Sequence, residues 1–118
     1  MALARIPVPR KMPKPAKRAS RWRSQAHCNF IRSHACSVPG CDGRPIEVAH
    51  VRMGSGAGIG QKPDDWRTVP LCQHHHSVQH NIGEPSFWRG LDVEQLIADF
   101  IAASPKAHEI RAIMRERG

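Results

Sequence analysis

The chain has 118 residues, which is enough for one small domain but not for several. Only 5% of the residues are aromatic and none is tyrosine, so the hydrophobic core must be modest. No apolar run is long enough for a membrane-spanning helix, and the N-terminus lacks the apolar stretch and cleavage site of a secretory signal. These features predict a cytoplasmic protein without membrane association, in which cysteines bind metal in preference to forming disulfides.

The positive charge is concentrated in the first third of the chain. The formal net charge is +8, but residues 1–41 contain nine Lys or Arg and no acid. Residues 42–118 contain nine Lys or Arg and ten Asp or Glu, a net charge of −1. This asymmetry favours a polyanionic partner, most simply nucleic acid, over the alternative of a solvated tail that only maintains solubility.

We predict that residues 1–24 form a basic, proline-rich arm and that residues 25–118 form the folded domain. Prolines in the arm alternate with Lys and Arg, and proline favours extended conformations over a packed helix. Trp22 can either stack on a base or anchor the arm to the domain. The basic residues of the arm that we expect to contact nucleic acid are Lys11, Lys14, Lys17, Arg18, Arg21 and Arg23.

The domain begins with a predicted short helix over residues 25–35, in which Phe30 and Ile31 are buried. Cys28 has no partner at ligand spacing, so we interpret it as a small buried apolar residue. Alternating side chains from Pro45 to Val51 predict a strand that ends near His50. A second short strand is predicted at residues 68–69, before a proline that should end it.

Between these strands lies a glycine-rich loop, residues 54–60, followed by Lys62. The loop either cradles a phosphate through its backbone amides, with Lys62 alongside, or is a flexible surface loop. Trp66, Phe87 and Trp88 are interpreted as core residues in preference to platforms for base stacking.

The rest of the chain is predicted to be helical. One helix starts in the His-rich segment and ends near Gly83, a second is capped by Asp92, and a third is capped by Ser104 with Pro105 at its first position. The apolar stripes of the last two helices predict core packing at Val93, Leu96, Ile97, Phe100, Ile101, Ile110, Ile113 and Met114.

Two pairs of metal-ligating residues indicate a structural zinc site. Cys36 and Cys41 form a C-x4-C pair around a Pro-Gly turn, and Cys72 and His75 form a C-x2-H pair on one face of a helix. His74 or His76 remains an alternative to His75 as the fourth ligand.

A second cluster remains after the zinc ligands are assigned. His76 and His80 are one helical turn apart and share a direction that differs from that of the zinc ligands, which suits a second metal or a phosphate. Beside a basic arm, phosphodiester hydrolysis accounts for such a cluster. A divalent metal stabilises the developing negative charge, and a neutral histidine, which we assign to His50, takes a proton from the attacking water.

Together these motifs resemble the HNH (ββα-metal) nuclease superfamily, and in particular its phage and prophage branch, which includes the recombination-enhancement-function nuclease. The resemblance covers roughly residues 36–90 and rests on Ala49-His50-Val51, the glycine loop with Lys62-Pro63-x-Asp65, Val69-Pro70-Leu71-Cys72, His75-His76 and Gln79-His80. It implies that His50 is the general base, that His76 binds the catalytic metal, and that His80 binds the metal or contacts phosphate.

The sequence departs from the family pattern at three positions. The residue before the base is usually Asp or His and binds metal, but here it is Ala49. The middle asparagine has no clear counterpart, and of the two nearby candidates, Asp65 and Arg67, we favour Asp65 as an orienting residue or ligand. The last zinc ligand is usually cysteine, but here it is His75.

The sequence therefore predicts a small α+β domain with a ββα-metal motif, a structural Zn²⁺ and C-terminal helices. The predicted function is endonucleolytic cleavage of DNA that depends on Mg²⁺ or another divalent metal, in a bacterial or phage-encoded protein. The alternatives are a non-catalytic, zinc-stabilised nucleic-acid-binding module and a phage accessory protein that binds a recombinase or another DNA-processing protein.

Overall fold

The computed structural model describes residues 21–57 and 61–118, and its secondary structure there is a two-stranded sheet with helices on both sides of it in sequence. This arrangement confirms the α+β class. In chain order, the helices and strands are α1 (Gln25–Arg32), β1 (Ile46–His50), β2 (Thr68–Cys72), α2 (Gln73–Ile82), α3 (Glu84–Phe87), α4 (Val93–Ala103) and α5 (Ala107–Arg117).

The two strands pair antiparallel, from Ile46 opposite Cys72 to His50 opposite Thr68. The second strand continues through Pro70, so the prediction that it ends before the proline was wrong. A proline is tolerated in a two-stranded sheet because each strand has a free edge that needs no N–H donor. The carbonyl of Pro70 also accepts hydrogen bonds from the backbone N–H and the hydroxyl of Ser37, at 2.9 and 2.8 Å.

Helix α1 begins after Ser24, whose hydroxyl accepts a hydrogen bond from the backbone N–H of His27 at 3.1 Å. Ile31 is fully buried as predicted. Phe30 is only half-buried, and its ring meets His34 edge-on with the centroids 4.6 Å apart. The helix therefore buries a narrower apolar face than its sequence indicates.

The core lies between the sheet and helices α4 and α5. Trp66 and Trp88 are buried in it, as predicted, and Phe87 packs against it. The buried residues that surround the two tryptophans are Ala49, Val51, Val69, Leu71, Val93, Ile97, Ile101 and Ile110.

The side chain of Asp92 caps α4 by accepting a hydrogen bond from the backbone N–H of Gln95 at 3.0 Å, as predicted. Ser104 instead ends α4, and α5 starts only at Ala107. The hydroxyl of Ser104 lies 2.7 Å from Nδ1 of the buried His27, a partner far away in sequence. Met114 was wrongly predicted as core, because it is 39% exposed.

The last residues of the predicted arm pack against the domain. The backbone N–H of Trp22 donates to Asp64 at 2.6 Å, and its ring lies 5.5 Å from that of Trp66. In the structure Trp22 therefore anchors the chain. Arg117 of α5 reaches the same carboxylate at 3.0 Å. Residues 1–20 lie outside the described residues, and within the described ranges no helix has the length and apolarity needed to cross a membrane.

Candidate functional site

Three sulfurs and one ring nitrogen converge where the loop after α1 meets the start of α2. His75 Nδ1 lies 3.2, 3.4 and 3.5 Å from the sulfurs of Cys72, Cys41 and Cys36, respectively, and Cys41 and Cys72 are 3.9 Å apart. In a tetrahedral zinc site the sulfurs lie about 3.8 Å apart and sulfur and nitrogen about 3.6 Å apart. The four residues fit these spacings and can hold a metal ion such as zinc.

Local backbone geometry prepares this cluster for a metal. Cys72 is the N-cap of α2 and accepts hydrogen bonds from the start of the helix. Burial acts to raise the pKa of the Cys72 thiol. The hydrogen bonds that the sulfur accepts, of which the one from the backbone N–H of His75 has the largest effect, outweigh burial and hold this pKa below its usual range. Gly43 donates its N–H to the sulfur of Cys41 at 3.4 Å. A Cβ at Gly43 would lie 3.0 Å from Cys72 Sγ, so any larger residue would require the metal ligands to shift by a few tenths of an ångström.

The direction of each side chain on α2 resolves the choice of fourth ligand. His75 joins the cysteines, His74 is exposed, and His76 faces a different part of the molecule. This division follows from the rotation of about 100° per residue around a helix.

His50, at the end of β1, forms a hydrogen-bonded pair with Asp65. Their Nε2 and Oδ1 atoms are 2.9 Å apart. The other carboxylate oxygen accepts the backbone N–H of Ser24 at 2.8 Å, and Arg23 lies 3.2 Å from Oδ1. Asp65 is therefore held from three sides and fixes the orientation of the imidazole. Arg67, the other candidate for the middle position of the motif, instead makes a bidentate ion pair with Glu94 of α4.

The environment sets the charges of this pair. Burial lowers the pKa of His50, and the neighbouring Asp65 carboxylate only partly offsets that effect. Burial alone would raise the pKa of Asp65, but hydrogen bonds from His50 and from the backbone of Ser24 outweigh it and bring the pKa below its usual range. At neutral pH the pair is therefore a neutral imidazole beside a carboxylate.

His76 and His80 form a second pair on the outer face of α2. Their Nε2 atoms are 3.2 Å apart, and Nδ1 of His76 lies 2.8 Å from a carboxylate oxygen of Glu47. Glu47, on β1, was missed from the sequence. Its position fits the alternating pattern of a strand, but no motif spacing marks it as a site residue. Its partner, His76, is on a helix that is distant in sequence.

Both pairs line one cleft of about 800 Å³, together with Lys62. Cationic side chains at the cleft outnumber acidic ones, since Arg23, Arg32, Arg52 and Lys62 face only Glu47 and Asp65. Arg32 and Arg52 were not predicted as site residues. They lie on α1 and on the loop after β1, and only the fold brings them to the cleft. The excess of positive charge favours an anionic ligand.

Cys28 also lines the cleft. It is buried, as predicted, and burial together with the neighbouring Asp65 carboxylate raises the pKa of its thiol. Cys28 is therefore a neutral thiol beside the His50 pair and has no part in the cysteine cluster.

The basic residues that the sequence predicts to contact nucleic acid lie in different environments in the structure. Lys62 lines the cleft, whereas Arg21 pairs with Asp64 at 3.5 Å. Arg23 donates to Asp65 and to the backbone carbonyls of Pro63 and Lys62, so its guanidinium helps to hold the site together. The remaining predicted contacts, Lys11, Lys14, Lys17 and Arg18, lie outside the described residues.

Ala49 and the glycine loop both bear on the resemblance to HNH nucleases. Ala49 is fully buried in the core, pointing away from the cleft, so the position before His50 contributes no ligand. The glycine loop is described as far as residue 57, where Gly54 and Gly56 have positive φ angles of 76° and 73°. Gly54 lies against the Arg67–Glu94 pair, whereas residues 58–60 lie outside the described part of the chain.

The fold and the cysteine cluster together define a small α+β protein with a Cys3His site that can hold a metal. The chain belongs to the family described as "Protein of unknown function (DUF968)", whose model matches residues 8–89. It is 32% identical over 61 residues to the uncharacterized protein YdfU of Escherichia coli strain K12. The match covers 51% of this chain but only 17% of that relative. No solved structure matches the chain.

Proposed function

We propose that the protein is a metal-dependent endonuclease that hydrolyses DNA phosphodiester bonds, and that β1, β2 and α2 form a ββα-metal motif of the HNH type. The observation that carries the proposal is the convergence of two pairs, His50–Asp65 and His76–His80, in one cationic cleft. A partly buried base and a pair of imidazoles with adjacent nitrogens are two components of metal-assisted hydrolysis.

His50 is the base in this proposal. Because Asp65 accepts the proton on Nε2, Nδ1 retains its lone pair and is the nitrogen that takes a proton from water. The water oxygen then forms a bond to phosphorus, and the bond from phosphorus to the leaving oxygen breaks. Asp65 stabilises the imidazolium that results and keeps the ring from rotating.

His76 and His80 are the residues that would hold the divalent metal. The 3.2 Å between their Nε2 atoms fits two nitrogens on one ion, which are about 3.0–3.4 Å apart at ordinary bond lengths. A divalent ion held there supplies stabilisation of the negative charge that develops on the phosphate and the leaving oxygen. Two imidazole ligands suit Ni²⁺ or Zn²⁺ better than Mg²⁺ or Mn²⁺, which prefer oxygen ligands.

The charges of the site match a nucleic acid, and we propose DNA as the substrate. The cleft is cationic, and the basic arm enters the domain through Arg21 and Arg23, next to the residues that hold Asp65. All six aromatic residues of the chain lie outside the cleft lining, so the site contacts phosphate and sugar in preference to stacked bases.

A non-catalytic nucleic-acid-binding module is the second candidate. It is favoured by Ala49, which is buried where HNH enzymes have a metal ligand. A module of this kind would keep the structural metal and the basic surfaces but would not cleave what it binds.

Supercoiled plasmid distinguishes the two candidates. Zinc-loaded protein is incubated with the plasmid and Mg²⁺, Mn²⁺ or Ni²⁺, and binding and nicking are measured in parallel for the wild type and the double variant His76→Ala/His80→Ala. The nuclease is expected to nick with at least one metal, and the double variant should bind the plasmid without nicking it. Tight binding with no nicking in any metal would establish the module instead.

A further inference from the structure

Glu47 makes a contact that neither the resemblance nor the proposed mechanism uses. One of its carboxylate oxygens lies 2.8 Å from Nδ1 of His76, and the two side chains are 40% and 22% exposed. Glu47 is three residues before His50 on the same strand. Strand β1 therefore carries both the proposed base and a carboxylate that contacts a proposed metal ligand.

The carboxylate determines the tautomer of His76. An ionised glutamate can only accept a hydrogen bond, so Nδ1 of His76 must carry the proton and Nε2 must carry the lone pair. That lone pair is on the side of the ring that lies 3.2 Å from Nε2 of His80. Without the carboxylate, the imidazole is free to adopt the other tautomer and to rotate.

Carboxylates in this position are a general feature of histidine metal sites. A hydrogen bond from the second ring nitrogen to a carboxylate orients the ring and makes the ligating nitrogen more basic, and its loss typically weakens metal binding about 10- to 100-fold. Glu47 fulfils the geometric condition, because it contacts the nitrogen of His76 that is remote from His80.

We propose that Glu47 is a positioning residue that holds His76 in the tautomer and orientation needed to bind a divalent metal together with His80. The proposal rests on the metal site of the proposed function but does not require that the metal be used for DNA cleavage. It also gives β1 a second role, since one strand then aligns the metal ligand and the base.

The test uses untagged, zinc-loaded protein and measures Ni²⁺ binding by calorimetry. Glu47→Ala is compared with Glu47→Gln, which can still accept the hydrogen bond, and with Glu109→Ala, which removes an exposed glutamate on α5. We expect Glu47→Ala to weaken Ni²⁺ binding about 10- to 100-fold, Glu47→Gln to weaken it less, and Glu109→Ala to have no effect. The zinc content and the melting temperature are recorded for each variant.

A second readout follows the imidazole directly. Long-range ¹H–¹⁵N NMR spectra should show the proton of His76 on Nδ1 in the wild type and a mixture of tautomers in Glu47→Ala. Unchanged Ni²⁺ affinity and an unchanged tautomer in Glu47→Ala would overturn the proposal. If Glu47 controls Ni²⁺ binding but the wild type nicks no plasmid, the positioning role stands and the nuclease assignment falls.

Discussion

The hydrogen bond between His50 and Asp65 decides which nitrogen of the imidazole can accept a proton. Burial keeps His50 neutral, and the Asp65 carboxylate acts against that effect by favouring the charged ring. The result is a base whose pKa lies below its ordinary value of 6.5. A base of this kind is ready to accept a proton throughout the neutral range.

This balance predicts the pH dependence of cleavage. Because the pKa of His50 is lowered, the rate at saturating metal should stay level from about pH 8 down to about pH 6.5 and fall below that as His50 becomes protonated. In Asp65→Asn, the carboxylate no longer raises the pKa, so the acid limb should move to still lower pH. The maximal rate should also fall by about 10²-fold, because the imidazolium loses its partner. An acid limb and a rate that match the wild type would contradict the assigned role of Asp65.

The close approach of Gly43 to the cysteine sulfurs predicts that a larger residue there would weaken zinc binding. In Gly43→Ala, the new methyl group would lie 3.0 Å from Cys72 Sγ and 3.3 Å from Cys41 Sγ, so the ligands must move apart. We expect a lower zinc content after dialysis against a weak chelator, together with a lower melting temperature. Gly56→Ala is the control, because its methyl group would have no neighbour within 4 Å and would add only backbone strain. Equal zinc retention in both variants would show that the cluster does not depend on the close approach of Gly43.

At the level of helices and strands, the cysteine cluster brings together residues from separate segments of the chain. Cys36 and Cys41 belong to the loop after α1, whereas Cys72 ends β2 and His75 lies in the first turn of α2. Helix α2 has only one buried residue, Gln79, so apolar packing contributes little to holding it in place. We therefore expect that a metal held by these four residues would contribute most to the position of α2, and with it to the orientation of His76 and His80.

Removal of the metal should accordingly unfold the elements that carry the site. After treatment with a strong chelator under reducing conditions, we expect circular dichroism to lose helical signal and the cooperative melting transition to shift down strongly or to disappear, with recovery on addition of Zn²⁺. A protein that is verified to be free of metal but melts unchanged would show that these four residues are not a structural site.

At the level of the whole molecule, the positive charge is divided between the cleft and the N-terminal segment of the sequence. The cleft carries the cations that surround the proposed chemistry, whereas residues 1–20 carry six Lys or Arg and no acid. The arm is thus suited to sequence-independent contact with phosphates, and the cleft to the phosphate that reacts.

Deletion of residues 1–20 tests this division. Six cationic side chains are lost, so the slope of log affinity for duplex DNA against log salt concentration should become shallower by up to about 5. Nicking of DNA at low salt and high protein concentration should persist, because the cleft residues are intact. A slope that does not change would mean that the arm contributes no phosphate contacts.

Features that depend on short sequence motifs could be predicted from the sequence. The C-x4-C and C-x2-H spacings identified four residues that the structure brings within ligand distance, and the cap at Asp92 was correct. Some side-chain contacts between residues that are distant in sequence were missed. The hydroxyl of Ser104 accepts the backbone N–H of Lys106 but also bonds to His27, and the partner of Glu47 depends on how α2 packs against β1. Asp65, which the sequence favours as an orienting residue or ligand, contacts His50, whereas the contact of its neighbour Asp64 with α5 is apparent only from the fold.

Chemical rescue is the sharpest test of whether His50 activates water for cleavage. The nicking rate of supercoiled plasmid is measured at saturating metal for the wild type, for His50→Ala with and without added imidazole, and for His108→Ala, which removes an exposed histidine on α5. We expect a loss of about 10²- to 10⁴-fold in His50→Ala, partial recovery with imidazole, and no change in His108→Ala if His50 is the base. Nicking by His50→Ala at the rate of the wild type, with its zinc content intact, would contradict this role.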